Sequence, residues 1–177
     1  MKRFKSFILS PFRWLKHAYQ RVRYGFSYRD VWNIDFWFLE VVPNMLEELA
    51  NTTISYPYDS KVYEENPEMS QEKIEEIMFN NWKDKLRKIA EYLREANEPQ
   101  KEINQYWDEY YNFEEKHDIF LLDSDDIKNK LNEEELQEYE RLREKWFKRS
   151  MEIEKYKQEC LNKGLEMFSE NFMNLWD

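Results

Sequence analysis

Apolar residues recur at helical spacing along most of the chain. Leu15, Ala18, Tyr19 and Val22 form a first stripe. Ser10-Pro11 precedes it as a hydroxyl N-cap with proline at the first helical position, and Gly25 follows as a left-handed stop. This predicts a helix over 11–24, with His17 on its polar side and residues 1–9 left as a mobile basic arm. Ser27 opens a second helix over 27–50, with Asp30 completing an S-x-x-D capping box. Val31, Trp32, Ile34, Phe36, Phe38, Leu39, Val41, Val42, Met45, Leu46 and Leu49 cover more than half its circumference. So wide an apolar arc predicts the central helix of a bundle, kinked at Pro43.

Residues 51–69 read as a long Tyr-rich loop holding Tyr56, Tyr58 and Tyr63 between Pro57 and Pro67. Ser70 can cap a third helix to about Asn97, with Ile74, Met78, Trp82, Leu86, Ile89 and Leu93 as its core stripe. A fourth helix is expected over 99–117, carrying Ile103, Trp107, Tyr110 and Phe113, and then an irregular connection over 118–131. Asn132 with Glu133, Glu134 and Glu135 opens the last helix, because acids in the first turn suit the helix dipole. Its seam runs from Leu136 through Tyr139, Leu142, Trp146, Cys160, Gly164 and Phe168 to Leu175. Unbroken to the terminus it would span about 65 Å, so a bend is expected, or an arm formed with its neighbour. The chain as a whole reads as one all-α domain over 1–177, a bundle of about five helices with a long C-terminal helix.

Composition narrows this further. Two glycines and five prolines are too few for an all-β sandwich or barrel, and glycines at 25 and 164 cannot form a phosphate cradle. One cysteine forbids an internal disulfide and suits a reducing compartment. No stretch approaches the ~20 apolar residues that cross a bilayer, and Phe7-Ile8-Leu9 is too short for a signal peptide. Charge is uneven: residues 1–29 hold eight basic residues and no acid, and the rest carries 19 basic against 37 acidic residues. A basic first helix docked on its own acidic body accounts for this, and so does a nucleic-acid or membrane arm. The acidic body would repel a polyanion, so neither DNA nor membrane is expected as a partner.

Asp35 breaks the pattern of the second helix, lying angularly between Val42 and Leu46. An unpaired buried carboxylate is costly, so Asp35 is expected to be buried against Lys85, Arg143 or Lys157, or to face a pocket and contact a ligand. Trp37 borders the polar face of that helix, and Tyr56, Tyr58 and Tyr63 also escape a packing explanation. Beside Arg21, Arg23 or Arg29, such aromatics could stack on bases while the arginines hold phosphates. Arg29, Trp32, Asp35, Trp37, Tyr56, Tyr58 and Tyr63 are therefore the candidate binding residues.

Metal and catalytic signals fall short. Glu114-x-x-His117 is half of a carboxylate-bridged di-iron pattern without its second half, and reads as a solvated helix end. Asp123-x-Asp125 begins like a calcium loop but has Ile127 and Lys128 where an oxygen ligand and a glycine belong. Glu134-Glu135-x-x-Glu138 matches the first part of the magnesium motif of all-helical nucleotide pyrophosphatases, but Asn174 precedes Asp177 where the second part needs glutamate. Cys160 lies on an apolar seam. No catalytic residue, metal site or cofactor is expected, and chelation should leave the melting temperature unchanged.

Two segments resemble a family of small uncharacterised tailed-bacteriophage proteins. Gly25-Phe26-Ser27-x-x-Asp30-x-Trp32-x-x-Asp35 is similar to its G-[YF]-S-x-x-D-x-W-x-x-D segment, and Gly164-Leu165-x-x-Phe168 through Leu175-Trp176-Asp177 to its G-L-x-x-F…L-W-D ending. Tyr56-Pro57 corresponds to a G-Y-P loop with Ser55 in place of glycine, and residues 99–150 match nothing in that pattern. The resemblance implies a phage origin and a place in the host bacterial cytoplasm, with no activity to carry over. It leads to the expectation of a non-catalytic accessory protein that binds a host protein or a nucleotide-type immune signal and antagonises host antiviral defence. A helical phage enzyme with an unrecognised site, or an oligomeric structural or morphogenesis protein, are the alternatives, and homo-oligomerisation stays open.

Overall fold

The computed structural model describes the backbone over residues 2–176 and the side chains of residues 12 and 14–176. Among the described residues every regular element is helical: α1 (Lys2–Tyr24), α2 (Tyr28–Trp32), α3 (Ile34–Thr52), α4 (Ser60–Glu65), α5 (Gln71–Asn97), α6 (Trp107–His117), α7 (Ser124–Lys130) and α8 (Glu133–Asn171), closed by a 3-10 turn at Phe172–Asn174. The all-α class and the long C-terminal helix are thus as expected, with short helices inside both segments read as irregular. Asp59 starts α4 by accepting from the Lys61 amide at 3.0 Å. Asp123 starts α7 by accepting from the amides of Asp125 and Asp126, so the apparent calcium-loop aspartate is an N-cap.

The central helix is α5, not the segment with the widest apolar arc. It packs against α3 on one side and α8 on the other, and α4 leans on its start. Leu46 and Ala50 of α3 meet Trp82, Leu86, Ile89, Ala90 and Leu93 of α5 in the main core, sealed by Leu161, Phe168 and Leu175. Gly164 lets α8 approach closely, since a Cβ there would stand 3.0 Å from Leu93 Cδ2. α3 packs mainly on α5 and reaches α8 only lightly, through Phe38 edge-on to Phe168 at 5.7 Å, and Ile34, Phe36 and Met45 remain exposed.

α8 is helical over 39 residues, roughly 58 Å. Its second half serves the main core. Its first half carries α6 and α7, where Tyr110, Phe113, Ile119, Ile127, Leu131, Tyr139 and Leu142 form a second core. The expected arm with a neighbour therefore describes this half. Asn132 and Glu135 cap it reciprocally, at 2.9 and 3.0 Å. α6 begins only at Trp107. Residues 99–106 form a strap along α8 instead, held by Asn104 Nδ2 on the Trp146 carbonyl at 3.0 Å and by Arg149 Nε on the Ile103 carbonyl at 3.1 Å. Glu114 and His117 are not a solvated helix end. Glu114 is buried and accepts from the Tyr110 hydroxyl at 2.6 Å, which with burial pushes that phenol far above its ordinary range.

Candidate functional site

The N-terminal region is built around one corner. Gly25 adopts φ 79°, a left-handed conformation that glycine reaches without strain, and its amide closes α1 on the Arg21 carbonyl at 2.9 Å. Ser27 then restarts the chain, its amide donating to Asp30 Oδ2 at 2.7 Å. Arg21 reaches across from α1 and grips the same carboxylate with two bonds, Nε at 3.0 Å and Nη2 at 2.7 Å. The Gln20 side chain accepts from the Tyr28 amide at 3.2 Å. The arginine holds the Asp30 carboxyl far below the ordinary carboxylate range, against the opposing effect of burial and with help from the Ser27 amide.

That depression has a definite sign. A lowered folded-state pKa adds stability that is present above the ordinary carboxylate range and is lost as pH falls through the folded value. The corner should therefore hold at neutral pH and loosen only in strong acid. Asp30→Ala should weaken it by about 1–2 kcal/mol, most of it the lost cap, because the Arg21 side chain is more than half exposed and its charge is screened. Faster tryptic cleavage between Arg21 and Arg29 at neutral pH, with little change in the melting temperature of α5 and α8, is the expected readout. Cleavage at the wild-type rate would disprove a tie at this corner.

α2 ends at Trp32, and Asn33 (φ −136°, ψ 62°) breaks the helix before α3 begins. The single helix expected over 27–50 is therefore two. Asp35 falls in the first turn of α3, where it is exposed, with no hydrogen bond or ion pair among the described residues. This corrects the expectation that it is buried and paired. The reason lies in length: Leu46 and Ala50 face the middle of α5, but at Asp35 the antiparallel partner has reached its end at Asn97, so the same angular position opens to solvent. A hollow of about 200 Å³ there is lined by Asp35, Asn97, Glu154 and Lys157, and Lys157 pairs with Glu154 at 3.8 Å.

A second correction concerns α1. Its stripe does not dock on the acidic body. Leu15 and Tyr19 are more than half exposed and Val22 is 89% exposed, and among the described residues the substantial packing of α1 is against α2. The corner at Gly25 and the break at Asn33 turn α1 away from α5 and α8. The start expected at Ser10-Pro11 is also not the one observed, since the helix already runs from Lys2 through Pro11. Met1 and the side chains of the proposed basic arm lie outside the described residues.

The seven candidate residues fall into two groups. Arg29 and Trp37 line one hollow of about 250 Å³ with Arg21, Asp30, Phe36 and Glu40, next to the Asp35 hollow, while Trp32 is 86% exposed. Arg29 makes no ion pair among the described residues. At the far end of α3, about 28 Å away along its axis, Tyr58 stacks on Tyr63 at 5.5 Å and Tyr56 meets Phe79 edge-on at 6.1 Å. Tyr58 also lines a hollow of about 180 Å³ with Trp82, Lys85 and Asn174. The two groups do not converge, so they form no single pocket. Among the described residues no cluster of three or more His, Cys, Asp or Glu side chains could hold a metal ion.

Compared with known proteins, the chain matches no family model, no curated protein and no solved structure.

Two polar clusters escaped the sequence reading. Glu95 is buried at the end of α5 and accepts from the amides of Gln100 and Lys101 and from the Tyr156 hydroxyl at 3.0 Å. Burial, with hydrogen bonding to Cys160 and Glu95, raises the Tyr156 phenol well above its usual range. The carboxylate anchors the strap that follows Pro99. In the second core, Glu114 accepts from Tyr110 of its own helix, and the Tyr110 hydroxyl lies 3.5 Å from that of Tyr139 on α8. The break at Asn97-Glu98-Pro99 was the available signal for Glu95, because the amides of Gln100 and Lys101, past the helix end, lack helical carbonyl partners and can donate to a carboxylate one turn back.

Proposed function

We propose that the protein acts by binding, and that residues 12–37 are its contact element. One observation carries this reading. The segment presents Trp14, Leu15, Tyr19, Val22, Trp32, Ile34 and Phe36 exposed on α1, α2 and the first turn of α3, attached to a body with its own core. Large apolar side chains gathered on one segment mark an interaction surface, whereas isolated ones are ordinary. With the bacteriophage resemblance, the proposed role is an accessory protein that antagonises host antiviral defence by occupying a host component.

The test is infection of hosts carrying individual defence systems, with the protein supplied in trans. Wild-type protein should restore plaque formation on at least one host. Val22→Ser with Trp32→Ser should reduce that rescue by a factor of ten or more, while Tyr58→Ala with Tyr63→Ala should leave it intact. Loss through the tyrosine pair alone would move the contact element to the far end of α3.

A nucleotide-type ligand is the second reading, favoured by the Arg29 guanidinium, without an ion pair among the described residues, beside Trp37 and Phe36 in one hollow. It requires protein from infected cells to carry a ligand absorbing at 260 nm that Arg29→Ala fails to retain.

A further inference from the structure

We infer that α1 is a surface-lying helix for anionic lipid, seated with its apolar arc in the headgroup boundary of a membrane. This rests on the reading of residues 12–37 as the contact element and names the chemistry that α1 meets.

The pattern of side chains around α1 carries the inference. At about 100° per residue, Leu15, Ala18 and Val22 occupy the middle of an apolar arc of roughly 160°, with Trp14 on one shoulder and Phe12 and Tyr19 on the other. Beyond the aromatic shoulders lie charges of one sign, Arg21 on one flank and Lys16 and Arg23 on the other. Residues 1–29 contain no acid. A helix gripped by a protein groove shows a narrow row of anchors at i, i+3 or i+4, and i+7. A wide arc edged by amphipathic aromatics and flanked by cations instead matches a flat boundary between hydrocarbon and anionic headgroups.

The mounting of α1 agrees with this. Phe12, Trp14, Leu15, Tyr19 and Val22 are all at least half exposed along a helix of about 34 Å, joined to the body through the Gly25 corner. No described helix is long and apolar enough to cross a membrane, so attachment would be to one face. The sequence-based expectation of no membrane partner rested on repulsion of a polyanion by the acidic body. With α1 undocked, repulsion between that body and an anionic surface is screened within about 8 Å at physiological ionic strength. Each basic residue near such a surface strengthens binding by roughly fivefold, and the arc supplies the apolar share.

The experiment is co-sedimentation of the full chain with vesicles of phosphatidylcholine alone or with one third phosphatidylglycerol. Binding to the anionic vesicles alone, weakening as salt rises, is the expected result. Leu15→Glu with Val22→Glu should lower that binding at least tenfold, and Lys16→Glu with Arg23→Glu should lower it and flatten its salt dependence. Unchanged melting of each variant verifies that the body is folded. Equal binding to both vesicles, no binding, or indifference to the Leu15 and Val22 changes overturns the inference. So does slow amide exchange over 12–22 without lipid, which places α1 on its own body, or a dimer that the same changes dissociate, which places it on a second copy. Loss of infection rescue in these variants without vesicle binding would leave the contact element standing and remove the lipid. Vesicle binding by a protein whose rescue is indifferent to the same variants would do the reverse.

Discussion

Replacing Gly164 with leucine should cost at least about 3 kcal/mol, at the upper end of what overpacking does, and lower the melting temperature by roughly 6–12 °C. A single Cβ at this position would already lie 3.0 Å from Leu93 Cδ2 and 3.2 Å from both Leu93 Cγ and Tyr92 Cβ. Leu93 is fully buried between α3 and α8, so it has no empty volume to retreat into. A leucine adds three further carbons to that contact and must push the two helices apart. Alanine is the informative control. It gains about 1 kcal/mol of helix propensity over glycine, which a small shift of the Leu93 methyl can preserve or cancel. A leucine variant melting within about 2 °C of wild type would show that α8 does not approach α5 this closely.

Trp82→Ala should destabilise by about 3–5 kcal/mol, a fall of roughly 6–20 °C in melting temperature. The indole is almost completely buried in the middle of α5, in the cluster that joins Leu46 and Ala50 to Leu86 and Ile89. Its removal opens a cavity between helices whose backbones are held by neighbours on either side, so collapse can be only partial. Below the lowered melting temperature α1 should keep its contact behaviour, because among the described residues α1 packs substantially against α2 and not against α5. Measuring both properties on one variant separates the stability of the body from the chemistry of the N-terminal segment. A loss of vesicle binding in step with Trp82→Ala, at temperatures where the protein remains folded, would show that α1 is coupled to the core after all.

The elements most legible in the sequence were those whose punctuation and stripe agreed. Asn132 with Glu135 and Ser70 marked the starts of α8 and α5, and Ile74, Met78, Trp82, Leu86, Ile89 and Leu93 are all buried on the latter. Cap chemistry and helical period are local, so they survive any arrangement of neighbours. α4 and α7 were missed because helices of six and seven residues show too few apolar positions to establish a period. Asp59 and Asp123, which cap them, were the overlooked signals.

Of the candidate site, the sequence supplied the residues and a wrong idea of their setting. Asp35 obeys the angular rule that placed it in the apolar arc, yet it is exposed, because an angle on a helix says nothing about where the partner helix ends. The aspartate that is buried, Asp30, was legible as a capping residue but not as half of an ion pair, since Arg21 reaches it only after the chain turns at Gly25.

By itself the sequence determined the all-α class, the main helices, their caps and the division between a basic first segment and an acidic remainder. These follow from dihedral preference, period and charge, each a property of a few neighbouring residues. Tertiary structure alone decided that α5 and not α3 is central, that α1 keeps its apolar arc exposed, and that Glu95 and Glu114 are buried with donors. Each depends on which surfaces meet and how far each helix extends along its partner, quantities set by packing between segments distant in sequence. A wide apolar arc is therefore compatible with the centre of a bundle and with a face turned outward; in this protein Gly25 and Asn33 turn that face away from the core.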